Sequence, residues 1–171
     1  PFDYVIGSLH KLGNIDLGWI QFTESNAGYI GDTYYRCLEE LAKNGEYDCI
    51  GHLDYYKKHC ARAGLSDRFE HYRPIIKNIL LHIIERGKGI EVNTACMGVL
   101  IEETMPDLPI LELYRELGGS IITVGSDAHT PDRIGYGFEQ VRKKLLKAGF
   151  TQITVYEKRV PRQISLAEMT E

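Results

Sequence analysis

Three histidines and one aspartate stand where strand-like runs give way to polar residues. His10 closes the run GSLH, His52 lies in GHLD, and Asp127 and His129 close GSDAH. Imidazole nitrogens and carboxylate oxygens are the donors that divalent Zn, Mn or Fe take. If the three runs are parallel strands, their C-terminal ends share one face, where sites form. The i, i+2 spacing of Asp127 and His129 puts both on one side of an extended segment, aimed at one centre. Asp54 has the same spacing from His52. A lone strand-end histidine is ordinarily a satisfied polar residue. Its recurrence at three strand ends, each beside Gly or Ser, favours a metal site. His59 and His71 read as exposed loop or helix-start residues, and His82 as flanking the apolar stripe of a helix.

Other chemistries lack their motifs. There is no G-x-S-x-G nucleophile elbow, and Ser8 and Ser126 merely neighbour the strand-end residues. Neither G-x-G-x-x-G nor G-x-x-x-x-G-K-[ST] occurs. With 20 Lys+Arg against 24 Asp+Glu and no basic run, the chain carries no electrostatic footprint for nucleic acid. No apolar run approaches the ~20 residues of a membrane-spanning helix. The 171 residues, 43% hydrophobic and 26% charged, suit one folded domain. Cys37, Cys49, Cys60 and Cys96 form no C-x-x-C pair, so free thiols in a reducing cytoplasm are expected. Pro1-Phe2-Asp3 leads at once into a strand-like run, and no signal peptide is expected.

The elements that must position these residues follow from periodicity. Residues 2–9 read as a strand, and 11–32, rich in Gly and polar residues, as a long excursion. Asp32 is the expected cap of a helix over 33–44, with Tyr34, Cys37, Leu38 and Leu41 on its apolar face. A strand is expected over 47–53 and a helix over 71–86, with Ile75, Ile76, Ile79, Leu80, Ile83 and Ile84 as its stripe. A strand at 89–94, a helix from Pro109 to Leu117 and an apolar strand at 120–126 follow. A helix over 138–148, a last strand over 151–159 and a Pro-containing tail complete the chain. Alternating strands and helices with apolar strands predict an α/β fold with a parallel sheet.

The runs DYVIGSLH (3–10), CIGHLDYYKK (49–58), EVNTA (91–95), GSDAHTPDRIGYGF (125–138) and VYEKRVPRQISL (155–166) resemble the PHP (polymerase and histidinol phosphatase) family of metal-dependent phosphoesterases, histidinol-phosphatase branch. The resemblance implies a distorted (β/α)7 barrel with parallel strands and a metal centre at the C-terminal strand ends. It implies His10, His52, Asp127 and His129 as metal ligands, with Asp127 and His129 also assigned to catalysis. Asp54 becomes their outer support. The implied cofactors are divalent Mn, Fe, Zn or Co, up to three in an intact parent. The family's H-x-H at its first strand is missing here. Residues 1–171 are therefore expected to be the C-terminal portion of a PHP domain, and unpaired sheet edges make a homo-oligomer an expectation of the same reading.

The implied reaction is hydrolysis of L-histidinol phosphate to histidinol and phosphate, in histidine biosynthesis. Clustered divalent ions assist it by lowering the pKa of bound water to about 7. The expected partner is a small phosphorylated metabolite, not a nucleic acid or a membrane. Arg133 and Lys57 are candidates to bind phosphate, the alternative for each being a solvated surface cation. Asn93 either hydrogen-bonds substrate or ties down a loop. A nuclease or nucleotide phosphoesterase and a non-catalytic interaction module are the competing readings.

Overall fold

The computed structural model describes residues 2–66 and 68–168. Four short strands form a parallel sheet in the order β1 (Ile6–Gly7), β4 (Cys49–Ile50), β5 (Gly89–Asn93) and β6 (Ile122–Gly125). Two local hairpins supply the other strands: β2 (Lys11–Leu12) with β3 (Ile15–Asp16), and β7 (Gln152–Glu157) with β8 (Val160–Ser165). The helices are α1 (Glu24–Asn44), α2 (Tyr56–Arg62), α3 (Phe69–Glu85), α4 (Leu108–Glu116) and α5 (Phe138–Lys147). The register pairs Ile6 with Cys49, Ile50 with Ile90, and Val92 with Val124. Each parallel strand neighbours the next in sequence, so all connections run the same way round. The expected α/β architecture is present, and all five β5 residues are buried, as a strand covered on both faces requires.

The helix expected over 33–44 begins nine residues earlier, at Glu24. Its cap is Thr23, whose backbone N–H donates to Asn26 Oδ1 at 2.9 Å, not Asp32. Gly28 and Gly31 hid this start, because glycine is a poor helix former. Packing explains them. A Cβ on Gly31 would stand 2.1 Å from the Tyr72 hydroxyl oxygen. The missing side chains let α3 lie close against α1, with Tyr72 Oη donating to the Gly28 carbonyl at 3.2 Å. Tyr56 Oη likewise donates to the Ala27 carbonyl at 2.7 Å. Tyr34, Tyr35, Tyr56 and Tyr72 are all buried at this junction. The α3 stripe is as expected, with Ile76, Ile79, Leu80 and Ile83 fully buried against the sheet residues Ile50, Ile90 and Ile122.

Helix α2 was not expected; its seven residues are too few to show a period. The tail expected after Arg159 is also absent. Residues Val160–Ser165 instead form β8, with Pro161 opposite Tyr156. Proline is tolerated because β8 pairs on one side only. The turn at Lys158 and Arg159 has both residues at positive φ, 51° and 67°, the backbone of a tight hairpin. Asp3 holds it: Lys158 N–H donates to Asp3 Oδ1 and Arg159 N–H to the Asp3 carbonyl, each at 2.9 Å. No helix is long and apolar enough to cross a membrane among the described residues. The four cysteines are free thiols, as expected.

Candidate active site

The ends of β1, β4 and β6 carry His10, His52 and Asp127. His52 and Asp127 both have positive φ, 28° and 47°, and neither is glycine. Such backbone costs roughly 1–3 kcal/mol and persists only where its surroundings enforce it. At His52 the enforcement is visible. Its backbone N–H donates to Glu91 Oε2 at 3.3 Å, and its carbonyl accepts from Tyr55 N–H at 2.8 Å, which closes a turn into α2.

Glu91 organises this end of the sheet. It lies inside β5, 6% exposed. Burial pushes its carboxyl pKa up, and hydrogen bonds from Asn93 Nδ2 (3.2 Å) and His52 N–H oppose that. The side chain fits because glycine stands at Gly125 in β6, with a second glycine, Gly51, just after β4. A Cβ on Gly125 would sit 2.3 Å from Glu91 Oε1, and one on Gly51 would sit 3.2 Å from Glu91 Oε2. The glycines of GHLD and GSDAH thus make room for a carboxylate between the two strand ends.

His10 and His52 come together, with Nε2 to Nε2 at 3.0 Å and ring centroids 4.9 Å apart. Burial, then the nearby His10, lowers the His52 pKa to about 4, so its ring is neutral at pH 7. Its Nδ1 is buried with no hydrogen-bond partner. Neutral imidazole is the ligating form, and an unsatisfied buried nitrogen is costly, so the pair fits a divalent transition metal in kind.

The four expected ligands do not gather at one point. Among the described residues, no group of three or more His, Cys, Asp or Glu side chains is close enough to hold a metal ion. Topology gives the reason. β4 adjoins β1, which brings His52 to His10, whereas β5 separates β4 from β6, a spacing of about 10 Å at roughly 4.8 Å per strand. The extended geometry expected for Asp127 and His129 is also absent. The β6 strand ends at Gly125, Asp127 turns left-handed, and His129 Nδ1 lies 2.8 Å from the Asp127 carbonyl oxygen.

Asp127 and His129 instead line a cleft of about 320 Å³ with Ser126, Cys96, Lys58, Arg62 and Arg133. Arg133 is held in place: its Nη2 donates to the Met97 carbonyl at 2.7 Å, and its guanidinium lies 3.6 Å from the Tyr136 ring centroid. Lys57 is elsewhere. It is 6% exposed, paired with Asp54 at 3.0 Å, and donates to the Thr104 carbonyl at 3.0 Å. Successive helical residues diverge by about 100°. Lys57 therefore turns inward, while Lys58 and Arg62, four apart on α2, share the cleft face. Asp54 is buried in that ion pair. Asn93 is buried too; besides its bond to Glu91, its Oδ1 accepts the Ala95 N–H at 2.9 Å and so fixes the following loop.

His59, read as exposed, is 4% exposed on α2. It stacks on Phe22 at 5.5 Å. Three site residues escaped sequence reasoning: Glu91, Lys58 and Arg62. A charged residue amid the apolar strand GIEVN was the available signal for Glu91. For the other two, nothing short of the helix phase distinguishes Lys58 from Lys57.

A sequence model of the PHP domain matches residues 1–95. A probable histidinol-phosphatase of Thermotoga maritima is 36% identical over 160 residues, covering 93% of this chain and 62% of that protein. The histidinol-phosphatase of Lactococcus lactis is 30% identical over 162 residues, covering 91% of this chain and 59% of that protein. The crystal structure of histidinol phosphate phosphatase from Lactococcus lactis, complexed with Zn, L-histidinol and phosphate, has a TM-score of 0.80 and 27% identity, covering 94% of this chain and 62% of that one. The chain thus spans about three fifths of the length of the relatives it matches.

Proposed function

This chain belongs to the PHP-domain family, and from that premise we propose that it is part of a metal-dependent phosphatase that hydrolyses L-histidinol phosphate. The observation that carries this reading is the cleft in which Lys58, Arg62 and Arg133 face Asp127 and His129, beside the His10–His52 pair. The likeness to a protein holding zinc, histidinol and phosphate supports it.

In this reading His10, His52, Asp127 and His129 hold divalent metal, of the Zn, Mn, Fe or Co kind. A divalent ion at such a site polarises phosphoryl oxygens and makes water a nucleophile near neutral pH. The chain's own residues do the rest. Three cations in one cleft offset the charge of a phosphate ester. Arg133, already oriented by Met97 and Tyr136, presents its remaining N–H groups with little loss of side-chain freedom. His52 stays neutral, so one of its two ring nitrogens carries no proton and is able to ligate. Glu91 supports the site by fixing the His52 backbone, and Lys57 and Asp54 support it by fixing the base of α2. Lys58 and Arg62 replace Lys57 as the phosphate-facing cations of that helix.

The test is elemental analysis and turnover on the same samples. Wild-type protein should carry divalent metal and release phosphate from L-histidinol phosphate. His129→Ala should lower metal content and cut turnover at least a hundredfold. Full metal content with wild-type turnover in His129→Ala would remove the assignment.

A further inference from the structure

Tyr55 stands at the start of α2, between the histidine pair and the cleft. Its N–H donates to the His52 carbonyl at 2.8 Å. Its ring packs against both members of the pair, with centroids 4.7 Å from His52 and 5.0 Å from His10. His10 and His52 are themselves 4.9 Å apart, so the three rings form one cluster. These separations lie in the ~4.5–7 Å range of packed aromatic pairs. His59, one turn further along α2, meets the Tyr55 ring edge-on at 4.9 Å, and His59 in turn stacks on buried Phe22. The Tyr55 ring is thus bounded by histidines from three places: the chain after β1, the chain after β4, and α2.

The same ring holds a cation. Lys58 follows Tyr55 by three residues, a spacing that makes helix side chains neighbours. Its N–H donates to the Tyr55 carbonyl at 3.1 Å, which places both in the first turn of α2. The Lys58 ammonium lies 4.8 Å from the Tyr55 ring centroid, within the ~6 Å reach of a cation–π contact. Among the described residues no carboxylate pairs with Lys58, whereas Lys57 beside it pairs with Asp54. The difference has a chemical consequence. A carboxylate partner would neutralise the charge that an anion in the cleft needs. A ring face restrains the flexible lysine stem and leaves the charge and the N–H donors available. Arg133, across the cleft, is set in the same way on the Tyr136 ring.

We propose that Tyr55 is a positioning residue: its ring, packed on His10 and His52, holds the Lys58 ammonium over the phosphate-facing cleft. The proposal rests on the reading of that cleft as a phosphate site. The phosphate-facing cation of α2 is then set in register with the histidine pair through one side chain. The ring does this and not the hydroxyl, which has no protein hydrogen-bond partner among the described residues.

The test uses the 171-residue chain without added metal, with inorganic phosphate as the probe. In the wild type, the ring current of Tyr55 should move the Lys58 ε-methylene protons upfield of those of the other lysines in NMR. Tyr55→Phe should keep that shift and bind phosphate as the wild type does. Tyr55→Leu should bind phosphate about fivefold more weakly in calorimetry, the worth of one cation–π contact. In a Lys58→Ala background, Tyr55→Leu should weaken phosphate binding no further, because the ring acts through Lys58. An unshifted Lys58 in the wild type overturns the proposal, and that measurement needs no variant to fold. Unchanged phosphate affinity in Tyr55→Leu, or a loss that persists in the Lys58→Ala background, also overturns it. Phosphate release from L-histidinol phosphate is measured separately, with divalent metal added. Release alongside an unshifted Lys58 would keep the phosphatase reading and remove the role of Tyr55. Phosphate binding that depends on Tyr55, without release, would refute hydrolysis and support the proposal.

Discussion

Lys57 and Lys58 are adjacent and do different things. Lys57 is buried against Asp54 and the Thr104 carbonyl, whereas Lys58 lines the cleft. Lys57→Ala strips a buried carboxylate of that ion pair, and we expect a stability loss of about 3 kcal/mol in denaturant unfolding. Lys58→Ala should leave unfolding within about 0.5 kcal/mol and raise the KM for phosphate ester roughly tenfold. A reversed pattern would return Lys57 to the site. His59 gives a pH prediction. Its pKa falls from the ordinary 6.5 to about 4 on folding. The unfolded chain therefore binds the extra proton between those values, and folding loses stability as pH falls through that window. The loss attributable to His59 is about 3 kcal/mol. Unfolding at pH 7 and pH 4.5 should show a smaller acid loss in His59→Phe than in wild type. An equal loss would contradict a neutral buried His59.

The paired strands and glycines determine what the site residues can do. Gly125 lies across from Asn93 in the β6 register, and its missing Cβ is where Glu91 Oε1 comes closest. Gly125→Ala should force Glu91 off the His52 backbone and cost about 1–3 kcal/mol. The amide of His52 should then lose protection in hydrogen exchange. Retained protection would mean that Glu91 does not hold the turn. The strand ends were legible because apolar runs stop at GSLH, GHLD and GSDAH; of the residues singled out there and just after, Asp127, His129 and Arg133 line one cleft and His10 and His52 pair apart from it. The turns were not legible. The positive φ of His52 is held by a hydrogen bond to Glu91, 39 positions away in sequence, which no local pattern announces. Similarly, Gly28 and Gly31 argue locally against a helix, and only the approach of Tyr72 explains them.

Across the whole molecule, the two ends of the parallel sheet have separate roles. At the end opposite the cleft, buried Asp48 accepts from Val5 N–H at 2.9 Å, pairs with Arg159 Nε at 2.6 Å, and lies 3.8 Å from Lys88. One carboxylate thus ties β1, the start of β5 and the β7–β8 turn together. Conservation of function at one end and stability at the other is the usual division in parallel α/β folds. Asp48→Ala should lower stability by about 3 kcal/mol in thermal or denaturant unfolding, while phosphate-ester KM at a temperature where the variant is folded stays within twofold. A large KM change would show that the two ends are coupled. The cleft end of the sheet is tested by phosphate release under matched conditions. The initial rate is measured for L-histidinol phosphate and for a nucleoside monophosphate, with added divalent metal. A histidinol-phosphate phosphatase should release phosphate from L-histidinol phosphate at least a hundredfold faster than from the nucleotide. No release from L-histidinol phosphate, or a faster rate with the nucleotide, would contradict it.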